Sequence, residues 1–194
     1  PVPSIGEKLF APFFAILGET RHSARLPEIK YDIMRKPFQW VAKKYGFDDS
    51  LTVRSNEVLQ TLEYHGEIKP FDDFAVVRIL PVEKFLVTTG FNRMQQSKIK
   101  LLQLTDFREC IVTDRTHDAR AKKGVFAEIL ANHDYKPAEV LIIGDDPDSE
   151  IRGGIELGID TVLMDRSDQF GDRASTYRIK SYLDLLSTDF MGSV

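Results

Sequence analysis

The chain has 194 residues, 42% hydrophobic and 29% charged, so it can bury a core and is not intrinsically disordered. Its net charge is −4 and its lysines and arginines are scattered along the sequence, which argues against nucleic acid and membrane surfaces as partners. No apolar run reaches the roughly 18 residues that a membrane helix needs. A single cysteine, Cys110, excludes an internal disulfide and favours the reducing cytoplasm.

The first apolar run covers residues 9–17 and allows two interpretations. Pro12 cannot donate a backbone hydrogen bond, so a long central strand is excluded here. A short strand over residues 13–17 remains open, and so does a helix with Pro12 in its first turn. The sequence alone does not decide between them.

Residues 28–66 have apolar side chains at helical spacing, which predicts helices. Pro37 interrupts the first helical stretch and Gly46 ends it. We expect this segment to form an inserted helical cap over residues 28–70. The core domain would then consist of residues 1–27 and 71–194.

From residue 69 onward, short apolar runs alternate with helical patterns. The predicted strands are 85–88, 110–113, 140–143 and 161–164, and the predicted helices are 94–104, 126–131, one from 149 and one at 182–186. Such alternation is typical of an α/β protein with a doubly wound parallel sheet and right-handed crossovers.

Polar side chains follow two of these strands and begin one of the helices. Thr88 and Thr89 end the first strand, Lys122 and Lys123 precede a helix, and the segment 144–150 carries Asp145, Asp146 and Glu150. Ligands bind at the carboxyl edge of such sheets. A hydroxyl, an ammonium group and carboxylates together suit a phosphate group and Mg²⁺. The alternative interpretation is a strand-ending threonine, solvated lysines and an acidic turn.

These residues resemble motifs of the haloacid dehalogenase (HAD) superfamily, most of whose members are Mg²⁺-dependent phosphatases with a Rossmannoid core and a cap. Thr88, followed by Thr89, resembles the second motif, which binds phosphate. Lys123 matches the lysine of the third motif, with Lys122 as its competitor. The likeness covers about residues 28 to 186, and it implies a small phosphorylated metabolite as ligand.

The fourth motif of the family resembles the stretch that begins at Gly144. Asp145 and Asp146 follow this glycine, and Glu150 stands where aspartate is commoner. The resemblance implies that Asp145, Asp146 and Glu150 hold Mg²⁺. The implied reaction is hydrolysis of a phosphomonoester.

The first motif of the family, Asp-x-Asp-x-Thr, is missing before Thr88. Thr20 fits its threonine, but Ile16 stands at the nucleophile position and Gly18 at the acid/base position. Covalent catalysis by an aspartyl-phosphate needs a carboxylate there, so no catalytic residue is identified. Either the motif has degenerated, or its strand lies outside residues 1–194.

We therefore expect turnover to be absent or very slow, as in a pseudoenzyme. The rival interpretation is a non-enzymatic binding or interaction protein on the same fold. A doubly wound nucleotide-binding domain is a third interpretation, from fold analogy only. The absence of Gly-x-Gly-x-x-Gly after a strand argues against it. The sequence leaves the oligomeric state open.

Overall fold

A computed structural model describes residues 3–113 and 122–187 of the protein. Its helices are α1 (Pro3–Leu9), α2 (Ala11–Gly18), α3 (Leu26–Ile33), α4 (Phe38–Tyr45), α5 (Asp49–Thr61), α6 (Phe74–Ile79), α7 (Asn92–Leu101), α8 (Lys122–His133) and α9 (Arg152–Ile155). Its strands are β1 (Phe85–Thr89), β2 (Glu109–Thr113), β3 (Leu141–Gly144), β4 (Asp160–Met164) and β5 (Tyr177–Ile179). Shorter helical turns cover Arg21–Arg25, Pro137–Glu139, Pro147–Ile151 and Tyr182–Leu186.

The described chain divides into two compact units, and the strand β1 belongs partly to each. The first unit contains residues 1–68, 88–104 and 112–117, and the second contains residues 69–87, 105–111 and 118–194. Residues 1–27 thus share a unit with residues 28–68. The division into a core domain and a cap over residues 28–70 stays a prediction.

The apolar run around Pro12 forms the helix α2, so the second of the two interpretations of this segment holds. Pro12 lies in the first turn, where its missing N–H has no intrahelical partner to lose. Phe13, Phe14, Ile16 and Leu17 are buried. Ile16 therefore belongs to a helical core and does not end a strand.

The first unit is built on helices that pack around one apolar cluster. Pro37 separates α3 from α4, because its extended backbone, at ψ 144°, cannot continue a helix. Gly46 ends α4 at φ +66°, a conformation that favours glycine. The Asp48 carboxylate begins α5 by accepting a hydrogen bond from the Leu51 N–H at 2.8 Å. The buried cluster includes Phe10, Phe13, Leu17, Ile29, Phe38, Val41, Tyr45, Leu59, Leu62 and Met94.

The second unit contains a parallel sheet in the order β3-β4-β5, which confirms the predicted α/β class. Leu141 pairs with Asp160, and Val162 pairs with Tyr177. The strand β4 lies in the middle and is buried at every position after its first. Strand β5 was not predicted, because it has only three residues, of which one is buried.

Strands β1 and β2 form a sheet of their own. All five residues of β1 are half-buried, although apolar runs of this kind are typical of strands covered on both faces. Within residues 3–113 and 122–187, β1 is paired only with β2 and β3 only with β4. No helix among these residues is long and apolar enough to cross a membrane.

Candidate functional site

The end of β3 approaches the Glu150 side chain closely. A β-carbon added to Gly144 would lie 2.6 Å from the Glu150 Cβ and 2.9 Å from its Cγ. Any side chain larger than hydrogen would therefore push Glu150 away. Glu150 lies in the helical turn Pro147–Ile151, and α9 follows this turn directly.

Glu150 forms an ion pair with Lys122, the first residue of α8. The two side chains are only 12% and 13% exposed. Glu150 Oε2 is buried and has no hydrogen-bond partner among the residues that the structure describes. An ammonium group carries three N–H donors, and Glu150 fixes its position. The result is a largely desolvated cation next to an acceptor that lacks a donor.

The adjacent lysine, Lys123, faces a different acid. Its ammonium group lies 2.8 Å from Glu156 Oε2, and both side chains are 45% exposed. The hydrogen bond from Lys123 lowers the pKa of Glu156. Consecutive helical residues point about 100° apart, so the two lysines have different environments. Of the two candidates for the third motif, Lys122 is the buried one.

Two of the three predicted metal ligands, Asp146 and Glu150, have partners within the protein. Asp146 Oδ1 accepts a hydrogen bond from the Asp148 N–H at 2.9 Å. Asp148 forms a two-pronged ion pair with Arg173, at 3.1 and 3.3 Å. Asp145 is exposed and makes no hydrogen bond to the described part of the chain. That part contains no group of three or more carboxylate, histidine or cysteine side chains that could hold a metal ion.

Asp145 lies close enough to Tyr182 to influence its ionisation. Burial raises the pKa of the Tyr182 phenol, Arg166 opposes this, and the charges of Asp73 and Asp145 add to it. The Arg166 guanidinium lies over the rings of Phe71, at 4.4 Å, and Tyr182, at 5.4 Å. The charge of the exposed acid after β3 thus acts on an aromatic hydroxyl, which the sequence patterns did not indicate.

Asp73 forms hydrogen bonds with Arg166, Ser181 and Tyr182. Its carboxylate accepts hydrogen bonds from Arg166 Nη2 at 2.9 Å, the Ser181 hydroxyl at 2.8 Å and the Tyr182 N–H at 2.9 Å. The Arg166 hydrogen bond is the main reason that the pKa of Asp73 lies far below its ordinary value. Asp73 thus ties the segment before α6 to the end of β4 and to the closing helical turn.

The first unit holds a second polar cluster, at the ends of β1 and β2. The Gln95 amide nitrogen donates to the Thr89 carbonyl at 2.8 Å and to Thr88 Oγ1 at 3.2 Å. The hydroxyls of Thr89 and Thr113 are 2.8 Å apart, and Thr113 Oγ1 also lies 3.3 Å from the Thr88 carbonyl. Thr113 is only 2% exposed. Of these four residues, the sequence patterns indicated Thr88 and Thr89 and missed Thr113 and Gln95.

A cavity of about 300 Å³ opens at the start of α6. It is lined by Lys69, Pro70, Phe71, Asp72, Phe74, Ala75 and Arg78. None of the residues predicted to bind phosphate or metal is among them. Arg78 is paired with Asp106 at 3.0 Å, so this cavity gives no support to a phosphate site.

Residues 117–182 match a protein-family model described as HAD-hydrolase-like. The chain is also 30% identical over 103 residues to a ribulose-1,5-bisphosphate 5-phosphatase from Halopiger xanaduensis. That stretch covers 50% of this chain and 43% of the relative. The chain thus spans less than half the length of the curated relative that it matches.

Solved structures resemble nearly the whole chain. A 2-haloacid dehalogenase from Pseudomonas syringae matches 95% of this chain and 89% of its own, with a TM-score of 0.59 and 18% identity. A HAD phosphatase from Thermococcus onnurineus matches 94% and 85%, with a TM-score of 0.58 and 20% identity. The magnesium-bound putative HAD-hydrolase YfnB from Bacillus subtilis matches 94% and 78%, with a TM-score of 0.53 and 20% identity. At these identities the likeness establishes the fold.

Proposed function

We propose that this chain is a haloacid dehalogenase-like hydrolase-superfamily protein and that it binds a small phosphorylated molecule through Lys122. The observation that carries the proposal is the ion pair of Lys122 with Glu150 at the end of β3. Asp145 would hold Mg²⁺ beside the phosphate. As a separate proposal, Thr88 would donate a hydrogen bond to a phosphate oxygen. The related reaction in this superfamily is hydrolysis of a phosphomonoester.

Burial makes Lys122 a better phosphate ligand than Lys123. Charge-assisted hydrogen bonds are stronger where water is excluded, and Lys122 is 13% exposed against 45% for Lys123. Glu150 holds the ammonium group in place before a ligand arrives, so little side-chain entropy remains to be lost. Glu150 Oε2, which has no partner in residues 3–113 and 122–187, could accept a hydrogen bond from a ligand hydroxyl or a water molecule.

The three predicted metal ligands do not fit Mg²⁺ as a set, because Asp146 and Glu150 have other partners. Mg²⁺ often binds through one or two carboxylates, with water and substrate phosphate completing its shell. The exposed Asp145 suits such a single-carboxylate site. The ion would offset phosphate charge there.

We further propose that residues 1–194 turn over phosphomonoesters very slowly or not at all. Ile16 and Gly18, at the nucleophile and acid/base positions by sequence, lie in α2, and neither side chain can attack phosphorus. A binding or interaction role without chemistry is the second candidate function, and the lack of a carboxylate at Ile16 and Gly18 favours it. A cytoplasmic location stays a prediction.

Calorimetric titration with inorganic phosphate, with and without Mg²⁺, tests the binding site. We expect Lys122→Met to weaken phosphate binding about tenfold or more, and Lys123→Met, its matched control, to change it less than twofold. Lys122→Arg keeps the charge and should retain part of the affinity. Equal effects of Lys122→Met and Lys123→Met, or no binding of phosphate under either condition, would contradict the proposal.

Two further measurements separate the candidate functions. Asp145→Asn should remove whatever gain in phosphate affinity Mg²⁺ gives to the parent chain. Turnover of an aryl phosphate should not exceed the buffer rate, and activity that disappears in Asp145→Ala would instead show a working enzyme. Because the relative from Halopiger is a ribulose-1,5-bisphosphate 5-phosphatase, a sugar phosphate is the first larger ligand to titrate.

A further inference from the structure

We propose that Gln95 is a positioning residue that leaves the hydroxyl hydrogen of Thr88 free to donate to phosphate. This inference rests on the proposed function, in which Thr88 binds a phosphate oxygen. It goes beyond that function in two ways. It adds Gln95 on α7, and it gives a hydrogen-bonding reason for preferring Thr88 to Thr89 as the phosphate ligand.

The orientation of the Gln95 amide follows from its partners. The Thr89 carbonyl oxygen can only accept a hydrogen bond, so the amide nitrogen of Gln95 must be the atom that lies 2.8 Å from it. That nitrogen carries two hydrogens. The second is available for Thr88 Oγ1, 3.2 Å away. Gln95 is therefore the donor in both contacts.

The hydroxyl of Thr88 has one hydrogen, and Gln95 makes its oxygen an acceptor. Its own hydrogen is consequently not used by Gln95 and can point to an anion. Thr89 differs, because its hydroxyl lies 2.8 Å from Thr113 Oγ1. Either hydroxyl can donate in this pair, and Thr113 Oγ1 can accept from Thr89 while it donates to the Thr88 carbonyl at 3.3 Å. The Thr89 hydroxyl is thus hydrogen-bonded to another hydroxyl inside the cluster, whereas Gln95 uses only the oxygen of Thr88.

Gly90 leaves space for the Gln95 side chain. A β-carbon at residue 90 would lie 2.8 Å from Gln95 Nε2 and 3.1 Å from its Cγ. Gly90 also has φ +153°, a backbone conformation that residues with side chains rarely adopt. The turn after β1 thus leaves room for the glutamine side chain to reach both threonines.

Replacing Gln95 with glutamate tests the direction of the hydrogen bond. A carboxylate cannot donate, so it would lose the hydrogen bond to the Thr89 carbonyl and could only accept the Thr88 hydrogen, which withdraws that hydrogen from phosphate. We expect Gln95→Glu to weaken the affinity for inorganic phosphate about tenfold. Gln96→Glu adds the same charge at the neighbouring exposed position of α7 and should change this affinity less than twofold. Gln95→Met, which removes the donor without adding charge, should give a smaller loss than Gln95→Glu.

A double-variant cycle shows whether Gln95 acts through Thr88. Thr88→Val alone should weaken phosphate binding, and adding Gln95→Glu to it should cause no further loss beyond that of Gln96→Glu. A purely structural role of Gln95 would instead give additive losses, which overturns the inference. Thermal unfolding of each variant confirms that the losses come from folded protein.

The same titrations distinguish a failure of the proposed function of Thr88 from a failure of the proposed role of Gln95. Phosphate binding that is unchanged in Thr88→Val would remove Thr88 from the proposed function. Weaker binding in Thr88→Val, together with equal effects of Gln95→Glu and Gln96→Glu, would leave that function standing and reject the role of Gln95 alone.

Discussion

The ion pair of Lys122 and Glu150 predicts a large change in the free energy of unfolding when one charge is removed. Lys122→Met would leave the Glu150 carboxylate without its cation in a place where the side chain is 12% exposed. Removing one partner of a fully buried ion pair costs about 3–5 kcal/mol, because the other charge stays buried. Residual exposure puts the expected loss at about 3 kcal/mol, near the lower end of this range.

Removing both charges should restore most of that stability. In Lys122→Met/Glu150→Met the buried charge is gone, and methionine fills the space with an unbranched chain that can adapt to Gly144. A buried ion pair contributes little net stability against apolar residues of similar size. We therefore expect this double variant to unfold within about 1 kcal/mol of the parent.

The neighbouring pair of Lys123 and Glu156 supplies the matched control. Both side chains are 45% exposed, so Lys123→Met should leave the urea midpoint unchanged within error. Far-UV circular dichroism follows the whole chain, and the fluorescence of Trp40, the single tryptophan, follows the first unit. Coinciding transitions would justify a two-state free energy. The reasoning is refuted if Lys122→Met lowers stability no more than Lys123→Met does.

The remaining predictions also concern the free energy of unfolding. Ser55 is fully buried in α5 and its hydroxyl has no partner among the described residues, so Ser55→Ala should stabilise by about 1 kcal/mol. Ser97→Ala should destabilise the folded protein, because Ser97 Oγ accepts a hydrogen bond from the Tyr64 N–H at 2.7 Å. Urea titrations should therefore show a higher unfolding midpoint for Ser55→Ala and a lower one for Ser97→Ala. Asp73→Asn should cost about 2 kcal/mol at pH 7, and the exposed Asp72→Asn should cost little. Because the folded state lowers the pKa of Asp73, its contribution is present above about pH 4 and is lost as pH falls further. Equal pH profiles for Asp73→Asn and the parent in acid would contradict that role.

The sequence predicted most strands and helices because their signals are local. Among the described residues, four of the five strands coincide with short apolar runs between turn residues. The helix α6 (Phe74–Ile79) and the strand β5 were not predicted, since six and three residues are too few to show a period. The two interpretations of residues 9–17 were separated only by packing, which buries Phe13 and Leu17 completely.

The candidate site was partly predictable. Glu150 and both lysines were found from residue type and spacing, but the choice of Lys122 over Lys123 depends on how α8 is turned relative to Glu150. The contacts of Asp73 join residues 93 and 108 positions apart, to Arg166 and Ser181. No local pattern can indicate such pairs, because they exist only after the chain has folded.

The helix α2 also bears on the missing first motif. A degenerated motif would keep its strand and lose only its carboxylates, since the strand is still needed to complete a sheet. Residues 13–17 instead lie in α2, with Ile16 7% exposed in the helical core of the first unit. The same Ile16 cannot be both a core residue of a helix and the remnant of a strand end. The structure therefore argues against residues 13–20 as a degenerated first motif, and a nucleophile at this site would have to come from another segment.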